Sequence, residues 1–255
     1  MTAATGGTTP SPVTAVLADL QDRLDARPPG HPSQHEFLAT YRRTTLAVQA
    51  AIDDGLFEDP GWVAQWDAAF AQLYLDALDA RRTGRGRVPR PWRLAFDAPS
   101  SLPPLRHVLL GINAHVNYDL PQALLAVIPD ADFTDPGLLE RRRRDHERID
   151  RVLSGRVAAE DRETGATSPP SLLERALRPL NRRGSQCFLR EARLKVWHNT
   201  RELHRARLLG PDAYAVRLAE LELLSAARIT DLLAPGQVLL RLAVAGFGVV
   251  LPPPG

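Results

Sequence analysis

The stretch HVLLGINAHVNYDLPQ, residues 107–122, sets two histidines, two asparagines and an aspartate into an otherwise apolar run. At about 100° per residue, His107, Gly111, His115 and Asp119 share one third of a helix circumference, with Tyr118 on the same side. His115 and Asp119 stand four apart, one turn, so their side chains can meet or grip one ion. Gly111 leaves room between the histidines for another backbone or a ligand. Asn113 and Asn117 lie off that face, toward neighbouring helices. The same spacing recurs in His146–Asp150 and His198–Glu202. Neutral imidazole with a carboxylate suits zinc and other divalent ions, and facing helices of a bundle can supply such pairs jointly. The carboxylate can equally hold the imidazole in one tautomer.

The three pairs stand in different surroundings. His146 lies beside Arg141, Arg142, Arg143, Arg144 and Asp145, a pattern that reads as a solvated helix face laced with ion pairs. Glu202 has Arg201 and Arg205 as competing partners for His198. Around His115 and Asp119 the sequence is apolar, and a buried carboxylate without a partner is costly. Asp119 has one plain alternative role, as the N-cap of a helix restarting at Pro121.

These residues need helices to hold them. Val13, Val16, Leu17, Leu20 and Leu24 form one helical stripe after residues 1–11, whose Thr, Gly, Ala and Pro predict a disordered tail. A second helix is expected from a Ser33 cap, with Glu36 three places on, to about Gly55. A third starts near Asp59 with Pro60 at its first position and carries Trp62, Trp66, Phe70 and Tyr74. TGRGRVPRP, 83–91, breaks the pattern, and the central helix then runs from Pro104 to about Asp119. Pro121 kinks it or restarts it through Ile128. Helices are also expected over 137–153, 171–181, 186–209 and 212–233, with an exposed loop over 155–170. With no β alternation, repeat or glycine-rich phosphate loop, the fold class is all-α. We expect a single bundle of about eight to ten helices over 12–251.

Composition narrows the function classes. The chain has 255 residues, 44% hydrophobic and 24% charged, as in ordinary globular proteins. Its net charge of +2 does not point to nucleic acid. Cys187 is the only cysteine, so no intrachain disulfide forms, and it has no base beside it in sequence. MTAATGGTTPSP is not a signal peptide, and VLLRLAVAGFGVVL contains Arg241 and is too short to span a bilayer. A cytoplasmic, soluble protein without a transmembrane segment is expected. The basic amphipathic SLLERALRPLNRR, 171–183, reads as a helix packed on its own protein.

HVLLGINAHVNYDLP resembles the signature of an actinobacterial family of uncharacterised helical proteins, a domain of unknown function with a Gly-x-Asn-Ala-His-x-x-x-Asp-Leu core. The aromatic stretch FEDPGWVAQWDAAFAQLYLDAL, 57–78, and the Tyr41 and Thr45 pair belong to the same resemblance, which covers roughly 33–225. It implies a helical fold and a candidate site but no activity. A fainter likeness is to zinc-dependent phospholipase C and single-strand nuclease enzymes, which are all-helical. By that likeness His115 and Asp119 would match one zinc-binding pair, and His198 and Glu202 a second. Pro121 precedes Gln122 here, the reverse of that family's order, and its next histidine is absent, so one or two ions are implied rather than three.

Two functions follow, from different classes. One is a metal-dependent hydrolase acting on a phosphoester, with zinc, manganese or iron lowering the pKa of a bound water. His115 and Asp119 would be ligands, His107 a third ligand or base, Asp67 a further oxygen, and Arg106 a partner for developing negative charge. The other is a metal-free small-molecule binder or biosynthetic enzyme, with His115 and Asp119 as an acid–base pair. Trp62, Trp66, Tyr74, Trp92 and Phe96 would line its cavity, with Asp67, Asn113 and Tyr118 facing the ligand. Aromatics at this spacing also serve as plain core, and a helical interaction protein with a satisfied buried network is the third possibility.

Overall fold

Prolines and small polar residues set the helix starts. In the computed structural model, which describes residues 11–26, 32–102, 104–164 and 194–234, the Ser11 side chain accepts from the Thr14 N–H and opens α1 (Pro12–Asp25). There follow α2 (Pro32–Asp53), α3 (Pro60–Thr83), α4 (Arg90–Phe96), α5 (Pro104–Ala114), α6 (Leu120–Val127) and α7 (Pro136–Thr164). A helix over 194–209 is α8, and α9 is Pro211–Leu233. Proline stands in the first turn of most of them, where its missing N–H costs nothing because that donor has no intrahelical acceptor. Asp59 caps α3 by accepting from the Trp62 N–H at 3.0 Å. Gly84, at φ 67°, ends it in the left-handed conformation that glycine adopts freely. No strand occurs among the described residues, and the all-α expectation holds.

Some expected boundaries move. Helix α2 begins at Pro32, so Ser33 is inside it rather than at its cap. Helix α7 continues to Thr164, so residues 155–164 are helical and not loop. Apart from Gly155, that segment is built of Ala, Arg, Glu and similar residues, and a single glycine costs only about 1 kcal/mol in a helix interior. Ser11 of the expected 1–11 tail caps α1, while residues 1–10, the rest of the expected loop at 165–170, the helix over 171–181, the start of the 186–209 helix and Cys187 lie outside the described residues. No helix among the described residues is long and apolar enough to cross a membrane.

Helix α3 packs on α6, α2 on α5, α1 on both α2 and α3, and α9 on α4 and α5. One cluster of buried side chains gathers Leu20, Phe37, Leu38, Tyr74, Leu78, Trp92, Leu110 and Ile229. A second gathers Val48, Trp62, Trp66, Leu124, Ile128 and Val196. The arginine-rich start of α7 is less solvated than its sequence suggests. Arg144 and Arg148 pair with Glu58, and Arg142 with Asp59. Asp145 is 0% exposed and accepts from the Glu58 and Asp59 N–H groups and from Arg148, all at 2.8 Å. That carboxylate pins the turn from which α3 starts.

Gly111 serves neither a backbone nor a ligand but the Phe37 ring. A Cβ built at Gly111 would stand 2.3 Å from Phe37 Cδ2. Substituting Gly111→Ala should therefore push α2 off α5 and destabilise the protein by about 1–3 kcal/mol, read as a lower urea midpoint. An unchanged midpoint would mean that Phe37 has another rotamer open to it.

Candidate functional site

Pro121 has no N–H to give the Asn117 carbonyl, and its ring crowds that carbonyl in a regular α-helix. The chain answers without breaking. His115–Asp119 forms a π-helical turn, and the Leu120 N–H bonds back five residues to the His115 carbonyl. A π-turn holds more residues than an α-turn, so positions four apart come closer to lying above one another. His115 Nδ1 and Asp119 Oδ2 meet at 2.9 Å, with the residues 3% and 1% exposed. Asp119 caps nothing. Its backbone is helical, and its side chain serves His115.

A third partner comes from α4. Trp92 Nε1 donates to Asp119 Oδ2 at 2.8 Å, and Trp92 is fully buried. Indole N–H is a donor only, so Oδ2 must accept. With Oδ2 best able to accept both bonds as a carboxylate oxygen, His115 Nδ1 carries the hydrogen, and Nε2 keeps a lone pair. Nε2 is buried and has no hydrogen-bond partner. Burial holds His115 below its ordinary value and the bond to Asp119 pulls the other way. Burial likewise raises Asp119, opposed by His115 and Trp92.

Five aromatic rings surround the imidazole. Phe70 stacks on it with centroids 3.5 Å apart, and Tyr41 meets it edge-on at 4.8 Å. Phe37, Tyr74 and Trp92 stand at 6.0, 6.0 and 5.9 Å. The Tyr74 hydroxyl is buried with no hydrogen-bond partner, and burial raises its pKa. Asp67, one turn before Phe70 on α3, is 8% exposed, and its Oδ2 is also unpartnered. Burial alone pushes Asp67 up to about 7. Tyr41 is raised by burial first, then by the charges of Asp67 and Asp119.

Other expected site residues go elsewhere. His107 is buried on α5, two turns before His115. Asn113 spends its amide on its own helix, donating to the Leu109 carbonyl and accepting from Asn117. Tyr118 packs with Leu125, Leu203 and Leu221, and its pKa is pushed up to about 12 by burial and then by Glu222. Arg106 donates to the Leu232 carbonyl at the end of α9. Trp66 stacks on Trp62 and lies 5.1 Å from His146, so these two tryptophans wall the second cluster while Tyr74, Trp92 and Phe96 wall the first. His146 is buried and accepts from Trp197 Nε1 at 3.2 Å, contrary to the solvated face expected there. The Asp150 side chain lies outside the described ones. His198 is exposed, and Glu202 pairs with Arg205. Among the described residues no three His, Cys, Asp or Glu side chains form a group that could hold a metal ion. His107, His115 and Asp119 are therefore not gathered into one ligand set.

Sequence reasoning did not connect Trp92 to Asp119, nor Phe37 and Phe70 to His115. A buried tryptophan needs an acceptor for its N–H, and that requirement is the signal that could have paired Trp92 with a carboxylate.

The family of unknown function DUF5995 has a model that matches residues 13–235, and the chain belongs to that family. No curated protein and no solved structure matches it.

Two outcomes test this geometry. Trp92→Phe keeps the ring but removes the donor to Asp119, and should cost about 1.5–3 kcal/mol in chemical unfolding. For Asp67 the native state holds a proton that the unfolded chain releases between its ordinary 3.8 and about 7. Stability should therefore fall as pH rises through that window, by up to about 1.4 kcal/mol per pH unit relative to Asp67→Asn. Parallel stability–pH curves for the two proteins would show that Asp67 is not raised.

Proposed function

We propose that this member of the family binds a small, largely apolar molecule in its aromatic core and that His115 exchanges a proton with it through Nε2, without a resident metal. One observation carries this reading. Asp119 holds Nδ1 while Nε2, the opposite ring nitrogen, is buried among aromatic rings with no partner. A neutral imidazole fixed in one tautomer by a carboxylate is arranged to take a proton and to be stabilised once it has done so. Trp92 keeps the carboxylate in place. Of the five rings around His115, Phe37, Tyr41, Tyr74 and Trp92 are buried, and Phe70, stacked on the imidazole, is the one that is only partly buried.

The metal-dependent reading fits the donor set less well. His115 and Asp119 turn toward each other the atoms that a shared ion would take, and the exposed His198 and Arg205-paired Glu202 bring no further donors to them.

The test combines binding with metal content. Apolar and aromatic small molecules are screened by thermal unfolding against the wild type, His115→Gln and Asp119→Asn. A ligand present at 100 times its Kd should stabilise the wild type by about 2.7 kcal/mol. Its binding should shift the His115 ring-nitrogen resonances, with Nε2 unprotonated beforehand at neutral pH. About one equivalent of zinc, manganese or iron in untagged protein, lost in a His115→Ala, Asp119→Ala variant, would overturn the proposal in favour of the hydrolase.

A further inference from the structure

Four acidic side chains are buried among the described residues, and three have their needs met. Asp119 has His115 and Trp92. Asp145 has two backbone N–H groups and Arg148. Glu222 has the Arg90 N–H at 2.7 Å and the Arg87 guanidinium. Asp67 differs. It is as buried as Glu222, yet Oδ2 has no donor, and neither a cation nor a hydrogen bond acts on its proton affinity. A buried acceptor left unpaired is expensive, and each such group calls for a reason, such as a catalytic role or a bound water, ion or ligand.

Its position says which site it belongs to. Asp67 lies one helical turn from Phe70, the ring stacked on His115, and two turns from Tyr74. Tyr41, which meets His115 edge-on, is within electrostatic reach of both Asp67 and Asp119. The unmet groups near His115 are thus two acceptors, His115 Nε2 and Asp67 Oδ2, with the Tyr41 and Tyr74 hydroxyls able to donate or accept. The surroundings are aromatic. Acceptors within aromatic faces favour a donor-rich or cationic group on an apolar body, because ring faces attract cations and a carboxylate pairs with them.

We infer that Asp67 is a second recognition group of the His115 site and that the ligand presents to it a basic nitrogen, an amine or protonated heterocycle, on an aromatic or aliphatic body. This rests on the proposed function for its location, but the nitrogen is assigned by Asp67 alone. An anionic ligand is disfavoured at the same place by the carboxylate.

The experiment uses three probes with the same phenylethyl body: 2-phenylethylamine, 2-phenylethanol and 3-phenylpropionate. Binding is followed by calorimetry and by tryptophan fluorescence on the full chain. The amine should bind the wild type at least tenfold more tightly than the alcohol or the acid. Asp67→Asn should remove that preference while folding normally, with a melting temperature at or above the wild-type value, since an unmet carboxylate has gone. Asp67→Leu should abolish it as well, which guards against rescue by the amide. Equal binding of the three probes, no binding of any, or an amine preference that survives both substitutions would overturn the inference. His115→Gln separates it from the functional reading. An amine preference that needs Asp67, with a ligand-insensitive His115, leaves Asp67 as a recognition group and removes the acid–base role. Ligand-dependent His115 resonances with no role for Asp67 do the reverse.

Discussion

A carboxylate sealed into an aromatic core must receive its hydrogen bonds from neighbours, and at Asp119 this requirement organises the structure. One oxygen takes both the imidazole of His115 and the indole of Trp92. The first bond is made within the π-turn that Pro121 provokes, and the second depends on α4 lying against α5 and α9. Helix α4 is only seven residues long and could not hold a position by itself. Its start is fixed to α9 through the Arg90 N–H and Glu222, and its Trp92 and Phe96 rings stack within the core. The polar pair and the packing that hides it are therefore one design. A change in either would unseat the other.

The same economy shows at the other end of the bundle. Asp145 accepts the two backbone N–H groups just before α3, so α7 decides where α3 begins. Helix α3 then presents Phe70 and Tyr74 to His115 and Trp62 and Trp66 to α7. Ion pairs around Glu58, with Arg144 and Arg148, cover this junction at the surface. Exposed pairs of that kind contribute little each, and the buried acceptor matters more because an unmet N–H in its place would cost its full desolvation.

What the sequence made legible follows from local rules. The buried positions Val13, Val16 and Leu20 of α1 fall on the stripe that helical periodicity predicts, and Asp59 with Pro60 marks the start of α3 by capping chemistry. The meeting of His115 with Asp119 follows from their spacing, because one element carries both. Features that join distant elements were not legible. Nothing near Trp92 announces Asp119, 27 positions away, and nothing near Gly111 announces the ring of Phe37. Charge density misled at α7, where the arginines around Asp145 and His146 reach outward or sideways to partners while those two turn inward. The 100° rule misplaced Tyr118, since within a π-turn each residue advances by less than it does in an α-helix.

The π-turn itself argues for a use at this place. Such turns are rare, occur mostly as single-turn bulges inside α-helices and are frequent at functional sites. Pro121 opposes the regular path here, but a kink or a break would have met it equally well. What the π-turn adds is the near alignment of His115 over Asp119 inside the helix, with Nε2 left facing the rings. In a low-dielectric interior a proton taken up at Nε2 is opposed by desolvation and favoured by the carboxylate beyond Nδ1. Burial is the larger of the two, so His115 stays below its ordinary value, and Trp92 holds the same Oδ2 that faces Nδ1. A purely structural core would have met Nε2 with a donor or replaced the pair by apolar side chains of the same volume, which is often neutral or stabilising. That this chain retains the imidazole–carboxylate pair, and leaves one nitrogen unmet, is what a site prepared for a proton from outside requires.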